Sequence, residues 1–203
     1  MNQEQNKPWS PIALNEVLEV FRNAPFFWCV AGGYAIELAI GTPVRRHGDT
    51  DILIFRKDHL ALQNHLADWD CWVADPPGTL RPWPQGAQLE LGVHDIWCRR
   101  NDAWEMQIML DESTGDAWYS RRHYAVTAPI EDLTRISASG IPYLAPHIQL
   151  FYKAKSLREK DEADLNAVLA GDVDLDRDWL CIAITTAYGD DHPWLPRLNR
   201  TVG

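Results

Sequence analysis

The most constraining feature of this chain is a Gly-Gly pair followed by two closely spaced aspartates. Gly32 and Gly33 open a short helical pattern, and Asp49 and Asp51 begin an apolar run that is typical of a strand. Alternate residues of a strand share one face, so both carboxylates are expected to project together. Mg²⁺ binds carboxylate and phosphate oxygens, and a Gly-Gly turn before a helix lets phosphates approach backbone N–H groups. The pattern predicts metal-assisted chemistry on a nucleoside triphosphate, with Asp49 and Asp51 as the metal ligands.

These residues resemble the nucleotidyltransferase superfamily, in particular its aminoglycoside and lincosamide branch. That branch carries Gly-Gly, an aromatic residue, a helix with an acid, a glycine and then Arg-x-His-x-Asp-x-Asp. The chain matches this order at Gly32-Gly33-Tyr34, Glu37, Gly41, Arg45, His47, Asp49 and Asp51, with Glu37 in place of the usual Asp and Tyr34 in place of the usual Trp.

The resemblance implies both a fold and an activity. The fold is α/β (α+β), a small mixed sheet flanked by helices with a C-terminal helical region. The activity is transfer of a nucleoside monophosphate to a hydroxyl of a small molecule such as an aminoglycoside-like antibiotic, with AMP from ATP as the expected donor group and another nucleoside triphosphate as the alternative co-substrate. Mg²⁺ is the implied metal, and Gly32, Gly33 and His47 are expected at the phosphates.

Members of this superfamily usually have a third carboxylate on a neighbouring strand, which here corresponds to residues 104–110. When the apolar pattern is aligned with relatives, Gln107 falls at the expected position. Glu105 lies on the same face two residues earlier, so we expect Glu105 to supply the acid and act as general base. Asp95 and Asp111 are the alternatives, and a chain with altered or lost catalysis is a further possibility.

A lysine on a later helix is the candidate phosphate ligand. Lys153 follows the rigid lead Ile-Pro-Tyr-Leu-Ala-Pro, and Asp161 and Asp164 follow it in a Lys-Asp-x-x-Asp-Leu-like segment. Related nucleotidyltransferases present a lysine from such a helix to the triphosphate. We therefore expect Lys153 to bind β- and γ-phosphate oxygens, and Asp161 to cap a helix or hold a basic partner.

Hydrophobic periodicity predicts the elements along the chain. It indicates helices over 12–22, 34–40, 59–67, 146–156, 159–169 and 178–188, and strands over 26–31, 49–55, 71–74, 93–99 and 104–110. The change from mixed strand and helix patterns to mainly helical patterns predicts a nucleotidyltransferase-like α/β domain over 1–126 and a mainly helical region over 127–203.

Composition limits the partners and the compartment. The net charge of −10 argues against broad nucleic-acid binding, which requires a basic surface, and suits a cationic small substrate. The N-terminus lacks the apolar core of a signal peptide, no apolar stretch approaches transmembrane length, and the four cysteines are scattered. We expect a cytoplasmic protein with reduced thiols that binds a nucleoside triphosphate and a small hydroxylated acceptor. The oligomeric state stays open.

Two other classes of function remain open at this stage. One is a toxin–antitoxin-type nucleotidyltransferase that modifies tRNA or a protein hydroxyl, for which a basic groove is required. The other is a non-catalytic relative that only binds nucleotide, and Gln107 in place of an acid is its main support.

Overall fold

The structure is a computed structural model that describes residues 3–76 and 78–199, and it divides into two compact units. The first unit consists of the residues up to Tyr34 together with Arg46–Ser113. The second consists of Ala35–Arg45 together with the residues from Thr114 onward. The sequence analysis placed one boundary at 126/127, whereas this division interrupts the chain three times.

The first unit is a mixed sheet with helices, as predicted. Its strands are ordered β4-β3-β5-β6-β2-β1, and every neighbouring pair is antiparallel except β2 and β6, which are parallel. The elements are α1 (Leu14–Phe21), β1 (Trp28–Val30), the start of α2 (Gly32–Ile40), β2 (Asp51–Phe55), α3 (His59–His65), β3 (Asp70–Ala74), β4 (Leu80–Pro82), β5 (Asp95–Arg99) and β6 (Met106–Thr114).

The central strands of this sheet are buried on both faces, and α1 packs on one of these faces. Ile54 and Ile108 are completely buried, and β1 places Trp28 beside Ile54 in register. Phe21 of α1 packs on Trp28 with ring centroids 5.1 Å apart, so α1 covers this face. Because side chains alternate along a strand, Asp51 at the head of β2 lies on the opposite face.

The second unit contains two short hairpins and most of the helices. The strand pairs are β7 (Ala117–Tyr119) with β8 (Thr127–Pro129), and β9 (Thr134–Ile136) with β10 (Pro142–Leu144). The remaining helices are α4 (Pro146–Ala154), α5 (Glu159–Ala170), α6 (Arg177–Tyr188) and α7 (Leu195–Leu198). Pro146 occupies the first position of α4, where its missing N–H costs nothing.

Cys29, Cys71, Cys98 and Cys181 are free thiols in the structure. Cys71 and Cys98 face each other across β3 and β5 with their Sγ atoms 3.2 Å apart. Burial, with the neighbouring Cys71 thiol, raises the pKa of Cys98 well above its usual value. In the described part of the chain, every helix is too short or too polar to cross a membrane.

Candidate active site

The carboxylate of Asp51 lies against the first residue of α2. The Ala31 N–H donates to the Asp51 carbonyl over 2.8 Å, which fixes the end of β1 beside the head of β2. Gly32 has a φ of +67°, and a Cβ atom built on it would lie 2.0 Å from Asp51 Oδ2. A side chain at position 32 would therefore occupy the place of the carboxylate, and only glycine allows this approach.

The residue between the two aspartates anchors them. Thr50 is completely buried; its hydroxyl donates to the Ile12 carbonyl over 3.0 Å, and its own carbonyl accepts the Gln107 N–H over 2.9 Å. Because Thr50 points into the protein, the side chain of Asp51 at the head of β2 is directed the other way. Strand β2 begins at Asp51, so Asp49 precedes the strand, in contrast to the predicted start at residue 49.

His47 belongs to the same turn and packs on the aromatic residue of the Gly-Gly motif. Its ring centroid is 4.2 Å from that of Tyr34, with an angle of 42° between the planes. The side chain is half-buried. This packing on Tyr34 fixes the imidazole of His47, which precedes Asp49 by two residues in the sequence. The predicted roles of His47, Gly32 and Gly33 at phosphates are untested and stay predictions.

Strand β6 places an amide opposite the second aspartate. Asp51 and Gln107 are partners in the parallel pairing of β2 with β6. Gln107 Nε2 in turn donates to Asp95 Oδ1 on β5 over 3.0 Å. Asp111, another candidate from the sequence, is completely buried and pairs with Phe55 at the far end of β2.

Glu105 has a local basic partner that the sequence analysis did not identify. Its side chain is 7% exposed, and its carboxylate accepts the Arg100 N–H over 2.8 Å and the Arg100 Nε–H over 3.0 Å. The hydrogen bond to Glu105 raises the pKa of Arg100 above its usual value. The signal was available in the sequence, because Arg100 and Glu105 flank the turn that joins β5 to β6. Whether Glu105 is the general base stays a prediction.

Asp49 and Asp51 fit a Mg²⁺ ion whose coordination is completed by the substrate. Among residues 3–76 and 78–199, no group of three or more His, Cys, Asp and Glu side chains is arranged to hold a metal. The protein thus offers Asp49 and Asp51, and Mg²⁺ usually takes one or two carboxylates together with waters and substrate phosphates. The absence of a Cβ at Gly32 lets the Asp51 carboxylate lie directly against the start of α2.

The second unit contains a buried cluster of charges around Lys153. Lys153 is 6% exposed, and its Nζ is 2.7 Å from Asp164 Oδ2 and 3.9 Å from Asp161 Oδ1. Arg45 donates to both oxygens of Asp164 over 3.0 Å each, and Arg158 donates to both oxygens of Asp161. Burial alone would raise the pKa of Asp161, but the hydrogen bonds and charge of Arg158, with Lys153, lower it. The expectation that Asp161 holds a basic partner matches this geometry.

The acid of the Gly-Gly motif closes the turn that leads to Arg45. One carboxylate oxygen of Glu37 accepts the Val44 N–H over 2.7 Å and the Arg45 N–H over 3.0 Å. Glu37 and Asp164 therefore fix the backbone and the side chain of Arg45 respectively. The sequence analysis noted all three residues as parts of motifs but did not predict that they are joined.

The family model of aminoglycoside-2''-adenylyltransferases matches residues 13–168. This span includes the Gly-Gly turn, the aspartates and the lysine-containing helix. The chain belongs to the aminoglycoside-2''-adenylyltransferase family. It is a nucleotidyltransferase, which confirms the resemblance recognised in the sequence.

Two solved structures have the same fold as the transferase, although their sequence identity to it is low. The lincomycin-bound lincosamide antibiotic adenylyltransferase LnuA has 15% identity and a TM-score of 0.56, covering 79% of this chain and 99% of its own. The solution structure of the antibiotic-resistance factor ANT(2'')-Ia has 12% identity and a TM-score of 0.53, covering 84% and 86%. A search among curated proteins found no match.

Proposed function

We propose that the transferase moves AMP from ATP to a hydroxyl of an antibiotic of the aminoglycoside or lincosamide class, with Mg²⁺ bound by Asp49 and Asp51. The family match supports an aminoglycoside as acceptor. The structural neighbour with bound lincomycin supports a lincosamide as the alternative acceptor. The net charge of −10 is compatible with a cationic acceptor of the aminoglycoside type.

The observation that carries this proposal is the approach of the Asp51 carboxylate to Gly32. A carboxylate that would overlap a Cβ at position 32 requires glycine there, and this glycine is the first residue of α2. Backbone N–H groups at a helix start favour phosphate oxygens, and the adjacent carboxylates favour the cation that accompanies them.

Each candidate residue has a defined role in this proposal. When bound, Mg²⁺ would neutralise charge on the phosphates and so favour departure of pyrophosphate. The backbone at Gly32 and Gly33, with His47, binds phosphate oxygens on the first unit. Lys153 donates to β- and γ-oxygens; an ammonium has three N–H donors, and Asp164 engages one of them at 2.7 Å.

The proposal is tested by incubating the purified protein with ATP, Mg²⁺ and one acceptor at a time. Tobramycin represents the aminoglycosides and lincomycin the lincosamides. We expect release of pyrophosphate and an acceptor heavier by one adenylyl group in mass spectrometry. Chelation of Mg²⁺ should stop both signals. ATP binding without any modified acceptor or pyrophosphate would contradict the proposal.

Gln107 favours a second candidate, a nucleotide-binding relative without catalysis. The amide stands opposite Asp51, where the superfamily usually has an acid, and an amide cannot accept a proton from a hydroxyl. In that case the protein would bind ATP with Mg²⁺ and release no pyrophosphate with either acceptor. The same experiment therefore separates the two functions.

A further inference from the structure

The strand pairing of the first unit places two cysteines side by side, Cys71 on β3 and Cys98 on β5. They are direct partners in the antiparallel pairing of these strands, and the Cys71 thiol donates to Cys98 Sγ over 3.2 Å. The other two cysteines have different surroundings, because Cys29 lies on β1 and Cys181 lies on α6 beside Asn199. Cys71 and Cys98 therefore form a cross-strand dithiol.

The backbone geometry at the cross-strand dithiol is compatible with a disulfide bond. The Cys71 carbonyl accepts the Trp83 N–H over 3.1 Å, and the Cys98 carbonyl accepts the Glu105 N–H over 3.0 Å. Trp83 follows β4 and Glu105 precedes β6, so the two cysteine carbonyls point away from each other. Antiparallel partners that exchange no backbone hydrogen bonds have Cα atoms about 4.5 Å apart. This separation lies within the range of about 4.4–6.8 Å that a disulfide bond requires.

The two thiols differ in exposure, and this difference sets the order in which they react. Cys98 is completely buried, whereas Cys71 is half-buried and can be reached by a small molecule from solvent. Burial, together with the neighbouring Cys71 thiol, raises the pKa of Cys98 well above its usual value. Cys98 therefore remains a thiol at neutral pH. Cys71 is the member of the pair that meets an oxidant first, in its thiolate form.

We propose that the cross-strand dithiol is a redox-active site that hydrogen peroxide, or another small hydroperoxide, converts into a disulfide bond. The Cys71 thiolate attacks one peroxide oxygen, the O–O bond breaks, and the other oxygen leaves as hydroxide, so that Cys71 becomes a sulfenic acid. The Cys98 sulfur then attacks the Cys71 sulfur. The S–O bond breaks, and the leaving hydroxide takes the Cys98 proton to form water. The two thiols lose two electrons, the peroxide gains them, and a thiol reductant reverses the oxidation.

The test treats the native protein, freed of reductant, with hydrogen peroxide and then alkylates and digests it without reduction. We expect the intact monomer to lose two hydrogen atoms in mass and a peptide that links Cys71 to Cys98 to appear. Cys29 is completely buried and should be alkylated only after denaturation, which shows that oxidation occurred in the folded protein. Cys181, half-buried like Cys71, is the control for exposure and should enter no disulfide. Dithiothreitol should restore both thiols.

Two serine variants separate the roles of the two sulfurs. In Cys98→Ser, peroxide should leave Cys71 as a sulfenic acid that dimedone captures. In Cys71→Ser, Cys98 should stay reduced, because it is buried. The disulfide should raise the Tm of the wild type by several degrees, because it links residues 71 and 98 in the unfolded chain, and neither variant should show this rise.

Three results would overturn the proposal. One is a wild type in which Cys71 gains oxygen atoms while Cys98 remains a thiol. Another is oxidation of Cys98 at the same rate in Cys71→Ser as in the wild type. The third is a disulfide that includes Cys29, which would assign the reaction to an unfolded chain. None of these measurements involves ATP, Mg²⁺ or an acceptor, so their outcome is independent of the proposed function.

Discussion

The Asp51 carboxylate occupies the space in which a side chain at position 32 would begin. A Cβ on Gly32 would lie 2.0 Å from Oδ2 of Asp51, and the φ of Gly32 is +67°. Backbone conformation and side-chain position impose the same requirement at this residue. Either one alone would favour glycine, and together they link the Gly-Gly turn to the second aspartate.

Replacing Gly32 with alanine should displace the Asp51 carboxylate and weaken metal-dependent ATP binding. The left-handed backbone alone costs a residue with a Cβ about 1–2 kcal/mol, and the overlap adds to it. We expect at least about a tenfold loss of ATP affinity in the presence of Mg²⁺, measured by calorimetry. Gly48→Ala is the control, since a Cβ there meets nothing within 4 Å. Equal affinities for Gly32→Ala and wild type would contradict the proposed geometry.

Replacing Asp49 or Asp51 with asparagine should abolish the Mg²⁺-dependent part of ATP binding and leave the fold intact. An amide oxygen carries no charge and is a poor substitute for a carboxylate at a hard divalent cation. ATP titrations with and without Mg²⁺ measure the effect, and circular dichroism checks the fold. Asp68→Asn controls for the loss of one exposed negative charge. Unchanged Mg²⁺ dependence in Asp49→Asn would exclude that residue as a ligand.

Lys153→Ala should weaken ATP binding much more than AMP binding, because the ammonium is proposed to contact β- and γ-oxygens. It should also lower the free energy of unfolding by about 3 kcal/mol, because Asp164 would lose a buried partner at 2.7 Å. Calorimetry with both nucleotides and urea unfolding measure the two effects. Lys155→Ala, two residues away and exposed, is the matched control. A lower stability together with equal losses of affinity for ATP and AMP would show that Lys153 has only a structural role.

His147 should make the transferase less stable in mild acid. Its ring is 4% exposed and lies 5.2 Å from the Trp179 ring, and burial lowers its pKa. Below the ordinary histidine pKa of about 6.5 the unfolded chain takes up a proton that the folded ring resists. The free energy of unfolding should therefore fall as pH falls, by at most about 1.4 kcal/mol per unit from this residue.

His147→Phe keeps an aromatic ring and removes this titration. Urea unfolding at pH 7.5 and 5.5 should show a smaller difference for the variant than for the wild type. His123→Phe alters an exposed histidine and should leave the difference unchanged. The same dependence on pH in His147→Phe and wild type would assign the acid sensitivity to other groups.

The starts of two helices were predicted correctly from the sequence. Helix α4 was predicted to begin at Pro146 and does, and α5 was predicted to begin at Glu159 and does. The strands β4, β7, β8, β9 and β10 were not predicted. Each has three residues, too few for alternation to be recognised.

The sequence predicted which residues form the motif of the candidate site, but not which of them contact each other. Gly32 and Asp51 could be identified from spacing, but their contact depends on how β1 and β2 pair. The choice among Asp95, Glu105 and Gln107 depends on the register of β5 and β6, which hydrophobic alternation does not specify. Arg100, in the turn between these strands, binds Glu105, and this contact was not predicted either. The assignment of the general base stays a prediction.

The interruption of the second unit in sequence restricts how this protein can be divided or recombined. Ala35–Arg45 belongs with residues far later in the chain, and Arg45 is bonded to Asp164. A cut at any single peptide bond between the first and last segments leaves at least one fragment with parts of both units. Exchange of only one of the two segments of this unit with a relative would therefore separate Arg45 from its own Asp164. Recombination between family members should succeed only when both segments come from the same parent, so the two must be inherited together.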